Sequence, residues 1–68
     1  MLFDRYPERR KVIANLKSGE AFRGVLWARG RRFLVLRNAE MLRPREQVVR
    51  MDGEVVVEWK NVSFLQVV

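Results

Sequence analysis

VIANLKSGEAFRGVLWARGRRFLVL, residues 12 to 36, decides how this chain is read. Val12, Ala14 and Leu16 alternate with Ile13 and Asn15, the period-two pattern of a strand. Lys17-Ser18-Gly19-Glu20 has turn composition, and in the strand that follows Phe22, Gly24 and Leu26 share one face while Arg23, Val25 and Trp27 share the other. A glycine inside a strand marks a sharp bend, because a residue without Cβ removes the clash at the corner and lets another backbone come close. After Ala28-Arg29-Gly30, the third strand Phe33-Leu34-Val35-Leu36 is apolar on both faces, so something is expected to cover its outer row. The stretch therefore predicts a curled sheet.

Toward the C-terminus, Arg43-Pro44-Arg45-Glu46 interrupts the pattern and Asp52-Gly53 signals a turn, so residues 43–53 read as a loop or an extended hairpin. Glu54–Trp59 is the fourth predicted strand, Lys60-Asn61 a very short turn, and Val62–Val68 the fifth strand, which has no charged residue. Free edges are usually blunted by lysine or proline. A bare edge is either covered within the fold or paired with another copy, and a small core favours the second. Toward the N-terminus, Asp4 is suited to cap a short helix with Pro7 in its first turn. On that helix Arg5 and Arg9 would share a face.

The 68 residues are expected to form one domain, 1–68. In this size range a single core supplies about 3–5 kcal/mol and association is a common aid. With neither Cys nor His in the chain, disulfides and zinc sites of the usual nitrogen or sulfur type are excluded. General acid/base work at neutral pH would need a strongly shifted carboxylate or lysine, and Ser18 and Ser63 have no base to activate them. The expectation is a protein that is not an enzyme and takes no cofactor. No window has the roughly 18 apolar residues of a membrane span, and the N-terminus lacks the apolar core of a signal peptide. A cytoplasmic location is expected.

The formal net charge is +6, and all of the excess lies in residues 1–34, with nine cations against three carboxylates; residues 35–68 carry five of each. A one-sided positive field concentrates polyanions, which makes nucleic acid the leading class of partner and an anionic membrane surface the next. The alternative is a solubility charge spread over a small surface.

The run Leu16-x-x-Gly19-x-x-Phe22-x-Gly24-x-Leu26, with Leu34-Val35-Leu36 and Ala39-Glu40 after it, resembles the first motif of the Sm and Sm-like (Lsm/Hfq) family. Val55-Val56-Val57-Glu58-Trp59-Lys60-Asn61-Val62-Ser63-Phe64-Leu65 resembles the second. The resemblance covers nearly the whole chain. It implies a mainly β fold, a short N-terminal helix on a strongly bent five-stranded antiparallel SH3-like barrel. It also implies a homo-oligomeric ring, closed by the fourth strand of one copy pairing with the fifth of the next, with single-stranded RNA as partner. Short length and missing pocket residues are reminiscent of viral or phage relatives.

The departures bear on specificity. Uridine-binding members use an aspartate and an asparagine in the loop between the second and third strands and an Arg-Gly pair in the second motif. Here Phe33 stands where the asparagine would fall and Glu58-Trp59 where Arg-Gly would be, with only Asn61 comparable. The uridine pocket does not carry over. In its place are three loop arginines near an aromatic, so the candidate RNA-binding residues are Arg29, Arg31, Arg32, Phe33, Trp59, Lys60 and Asn61. Arg5 and Arg9 form a second candidate surface. The arginines would draw phosphates in a salt-dependent way and Trp59 or Phe33 would add sequence-tolerant stacking. The alternatives are a solvated loop tip, arginines paired with Glu58 or Asp52 across a subunit boundary, an assembly module without specific RNA binding, and a monomeric SH3-like barrel docked on a larger complex.

Overall fold

A computed structural model describes residues 9–45 and 47–68. Six strands follow in order: β1 (Lys11–Leu16), β2 (Ala21–Arg29), β3 (Phe33–Leu42), β4 (Val49–Arg50), β5 (Glu54–Glu58) and β6 (Val62–Val67). They form one antiparallel sheet ordered β4-β3-β2-β1-β6, with β5 also paired to β3. The length of β3 lets it serve both: Phe33 to Arg37 pair with β5, and Glu40 and Met41 pair with β4. A 3-10 turn at Trp59–Asn61 joins β5 to β6. These two consecutive strands nevertheless lie on different partners, β5 on β3 and β6 on β1.

The curl comes from two irregularities in the β2–β3 ladder. Arg23 pairs with Glu40 and Val25 with Arg37, so Gly24 alone faces Asn38 and Ala39. Asn38 takes a left-handed φ of 52°, which asparagine tolerates better than most residues. A Cβ on Gly24 would stand 3.0 Å from the Arg37 carbonyl oxygen and 3.1 Å from the Ala39 Cα. That is the close backbone approach for which a strand glycine is needed. Further on, Leu26 pairs with Leu36 but Ala28 with Val35, which leaves Trp27 as the extra residue on β2. Bulges on both strands add twist and bend the sheet around its inner face.

Inside the bend, Val12, Leu26, Leu34, Leu36 and Ala39 are fully buried and Val57 nearly so. Leu16, Phe22, Met51, Val55, Trp59, Val62 and Leu65 pack against them from partly buried positions. Leu34 and Leu36 point inward, while Phe33, Val35 and Arg37 occupy the outer row opposite Glu58, Val56 and Glu54. The β1–β2 turn is tight, with the Gly19 amide donating to the Leu16 carbonyl at 3.0 Å and the Leu16 amide to the Glu20 carbonyl at 2.8 Å. Gly19 has φ 98° there, a left-handed conformation that side chains disfavour.

Three expectations change. The five strands become six, because the extended hairpin of residues 43–53 adds β4, paired with β3 through Glu40–Arg50 and Met41–Val49. The third strand runs on to Leu42, since the bulge at Asn38 lets the ladder resume beyond the polar Arg37-Asn38 pair. The short N-terminal helix falls mostly on residues 1–8, outside the described part. Among the described residues there is no α-helix: Arg9 has a left-handed φ of 64°, and β1 begins at Lys11. Also among the described residues, no helix is long and apolar enough to cross a membrane.

Three outer-face ion pairs, Arg23–Glu40 at 2.6 Å, Arg37–Glu54 at 2.8 Å and Arg43–Glu20 at 3.1 Å, involve side chains about two-fifths exposed. Exposed pairs contribute roughly 0–1 kcal/mol. They order the surface more than they hold the fold.

Candidate nucleic-acid interface

The β3–β5 register sets Phe33 opposite Glu58, so the connection from β2 to β3 and the turn from β5 to β6 meet at one end of the sheet. Two hydrogen bonds from Trp59 join them and a third closes the β2–β3 loop on itself. The Trp59 amide donates to the Arg32 carbonyl at 2.8 Å, the Trp59 indole Nε1–H to the Gly30 carbonyl at 3.1 Å, and the Gly30 amide to the Phe33 carbonyl at 2.7 Å. The tip that carries Arg31 and Arg32 is thus held from both sides. Between the two connections lies a cavity of about 410 Å³ lined by Arg31, Arg32, Glu58, Trp59 and Lys60. Lys60 Nζ lies 3.3 Å from Glu58 Oε2, and the half-buried Trp59 also packs against the core. The cavity offers cations to a phosphate, an indole wall to a flat apolar group and one carboxylate to a hydrogen-bond donor.

Arg31, Arg32, Trp59 and Lys60 are the sequence-derived candidates that the fold brings together. Arg29, at the end of β2, and Phe33, 44% exposed at the start of β3, border the loop without lining the cavity. Asn61 goes elsewhere: its carbonyl accepts the Lys17 amide at 2.9 Å. It lines a separate cavity of about 280 Å³ with Leu16, Lys17 and Ser18. Arg9 stands over Trp27, its Cζ 3.8 Å from the ring centroid, and Arg37 stacks on the same indole at 3.9 Å. Such cation–π contacts make Trp27 part of a charged outer surface. Arg5 lies outside the described residues.

Glu58 is the member of the cavity that sequence reasoning noted as a motif departure and a possible ion partner but did not count among the binding residues. Its place follows from the register with Phe33, which the local pattern around Glu58 does not encode. The Arg37 stack on Trp27 had a fainter signal, the shared outer row of Val25 and Trp27 on β2. Among the described residues, no group of three or more His, Cys, Asp or Glu is placed to hold a metal ion.

No protein-family model matches the chain, and no curated protein sequence does. Among solved structures, it superposes on the Sm protein of Pyrococcus abyssii, determined in complex with a uridine heptamer. The TM-score is 0.80 at 32% identity, over 90% of this chain and 86% of that one. The chain belongs to the Sm family. A chain of the NatC complex bound to CoA also superposes with a TM-score of 0.80, at 21% identity over 90% of this chain and 78% of its own. That second likeness concerns the fold alone. In this Sm chain, the end of the sheet where the β2–β3 and β5–β6 connections meet carries Glu58 and Trp59 beside Arg31, Arg32 and Lys60.

Proposed function

We propose that this Sm chain, acting as one domain, assembles into a homo-oligomeric ring and binds single-stranded RNA at the clamped arginine loop. The observation that carries the RNA reading is the meeting of Arg31, Arg32 and Lys60 with Trp59 in one cavity. Phosphates are drawn by the cations, and a base against the indole adds roughly 1–3 kcal/mol without demanding one sequence. Arg29 and Phe33 border this surface and extend it. The structural neighbour from Pyrococcus abyssii, an Sm protein held in a uridine-heptamer complex, supports RNA as the class of ligand.

The ring reading rests on the sheet's ends. Among the described residues, the outer edge of β5 and the outer edge of β6 have no strand beside them, and Val56 and Phe64 on these strands are 60% and 56% exposed. An antiparallel pairing of β5 with β6 of the next copy satisfies both edges at once and covers both side chains. Such a contact joins two different surfaces, so it closes into a ring when the rotation per copy divides a full turn. Each added copy brings another arginine loop.

Native mass spectrometry with and without a mixed RNA pool, together with anisotropy titrations of a labelled single-stranded RNA over a salt series, tests both halves. Ring-sized particles whose RNA affinity falls steeply with salt are expected. Intact rings that bind RNA no better than any protein of equal positive charge would instead leave an assembly module for protein contacts.

A further inference from the structure

We infer that the cavity between Arg32 and Lys60 prefers guanine to uracil, with Lys60 and Glu58 reading the Watson–Crick edge of the base. The inference rests on the RNA-binding reading above and names the base that such a site takes.

The chemistry follows from what the cavity presents. An ionised glutamate is an acceptor with two oxygens side by side, and lysine is a donor only. Here they stand as a pair, Nζ 3.3 Å from Oε2, with side chains 75% and 57% exposed. A base can therefore reach both heads. Along its Watson–Crick edge guanine shows an acceptor, O6, followed by two donors, N1–H and the N2 amino group. Lys60 complements the first and the two Glu58 oxygens the others. Uracil shows acceptor, donor, acceptor, so one Glu58 oxygen would face O2, oxygen against oxygen. Adenine and cytosine each offer one amino donor beside a ring acceptor, so they satisfy one carboxylate oxygen and confront the other.

The surroundings fit the same occupant. Trp59 walls the cavity and is held in place by its Nε1–H bond to Gly30, so the wall that a base would meet is fixed. Arg31 and Arg32 line the other side, where they meet the phosphates and offset the repulsion between Glu58 and the RNA backbone. Unpaired bases in single strands are read in this way, by stacking together with hydrogen bonds on the Watson–Crick edge.

The test compares labelled ten-nucleotide RNAs by anisotropy at fixed salt: all uridine, and the same RNA with one central uridine replaced by guanosine, inosine or adenosine. With the wild-type protein, the guanosine RNA is expected to bind about 5–10-fold more tightly than all-uridine, the lower end for a good base-specific pair because both side chains are wet. Inosine, which lacks the N2 amino group, is expected to recover less than half of that gain. E58A should bind all four within about twofold of one another, the preference for guanosine gone. Equal binding of the uridine and guanosine RNAs by the wild type, or an unchanged preference in E58A, overturns the inference and leaves the RNA reading standing. Failure of every RNA to exceed a control protein of equal charge overturns the RNA reading itself and this inference with it.

Discussion

At the scale of the residue, Gly24 and Leu36 define the bend from its two sides. A methyl at Gly24 meets the Arg37 carbonyl and the Ala39 backbone, atoms that cannot rotate away as a side-chain tip would. Gly24→Ala is therefore expected to lower stability by roughly 1–3 kcal/mol, read as a fall in denaturation midpoint, with Gly24→Val worse. An unaltered midpoint for both would mean that β3 does not approach as closely as described. Leu36 is fully buried, and Leu36→Ala should cost roughly 2–5 kcal/mol, as large-to-small core changes do. The need for glycine at position 24 was legible in the sequence, since a strand glycine among apolar neighbours has few other meanings. The place of Glu58 was not, because a carboxylate next to a turn looks the same whether it faces solvent or a cavity.

At the scale of the element, β4, β5 and β6 each pair with one strand among the described residues, and of these β5 and β6 offer outer edges longer than two residues. Val56 and Phe64 are exposed on them, so Val56→Lys and Phe64→Lys should cost the single chain little, within about 0.5 kcal/mol as for most surface changes. The same substitutions are expected to disperse the proposed ring, since lysine blunts an edge. Native mass spectrometry at matched concentration gives the answer, and an assembly that survives both changes would place the contact elsewhere. The charge-free run after Val62 marked β6 as unusual from sequence alone. By contrast, β4 contributes just Val49 and Arg50, too few residues for a period-two pattern to register. Its pairing with Glu40 and Met41 exists because the Asn38 bulge lets β3 continue.

At the scale of the whole molecule, the charge excess and the proposed assembly act together. The +6 of each chain is multiplied by the number of copies, and RNA affinity should then fall with salt along a log–log slope of roughly −0.7 per phosphate neutralised on a single strand. The double change R31A/R32A is expected to weaken binding and flatten that slope while leaving the oligomer intact, since neither side chain lies on β5 or β6. A slope unchanged by the double substitution would mean that the phosphates are met by other cations. The Arg9–Trp27–Arg37 stack lies on the outer face and offers the alternative surface that this measurement would then single out.

Period-two alternation, a strand glycine, turn residues and a charge-free final strand were enough to establish five of the six strands, the inward face of β2, the bend and the basic character, because each is a property of neighbours along the chain. The meeting of Arg31 and Arg32 with Trp59 and Lys60, the turning away of Asn61 toward Lys17 and the capture of Trp27 between arginines came only with the tertiary structure. Those contacts depend on which residue of β3 lies opposite which residue of β2 and β5. That register is set by two bulges whose effect is felt across the sheet, not along the sequence.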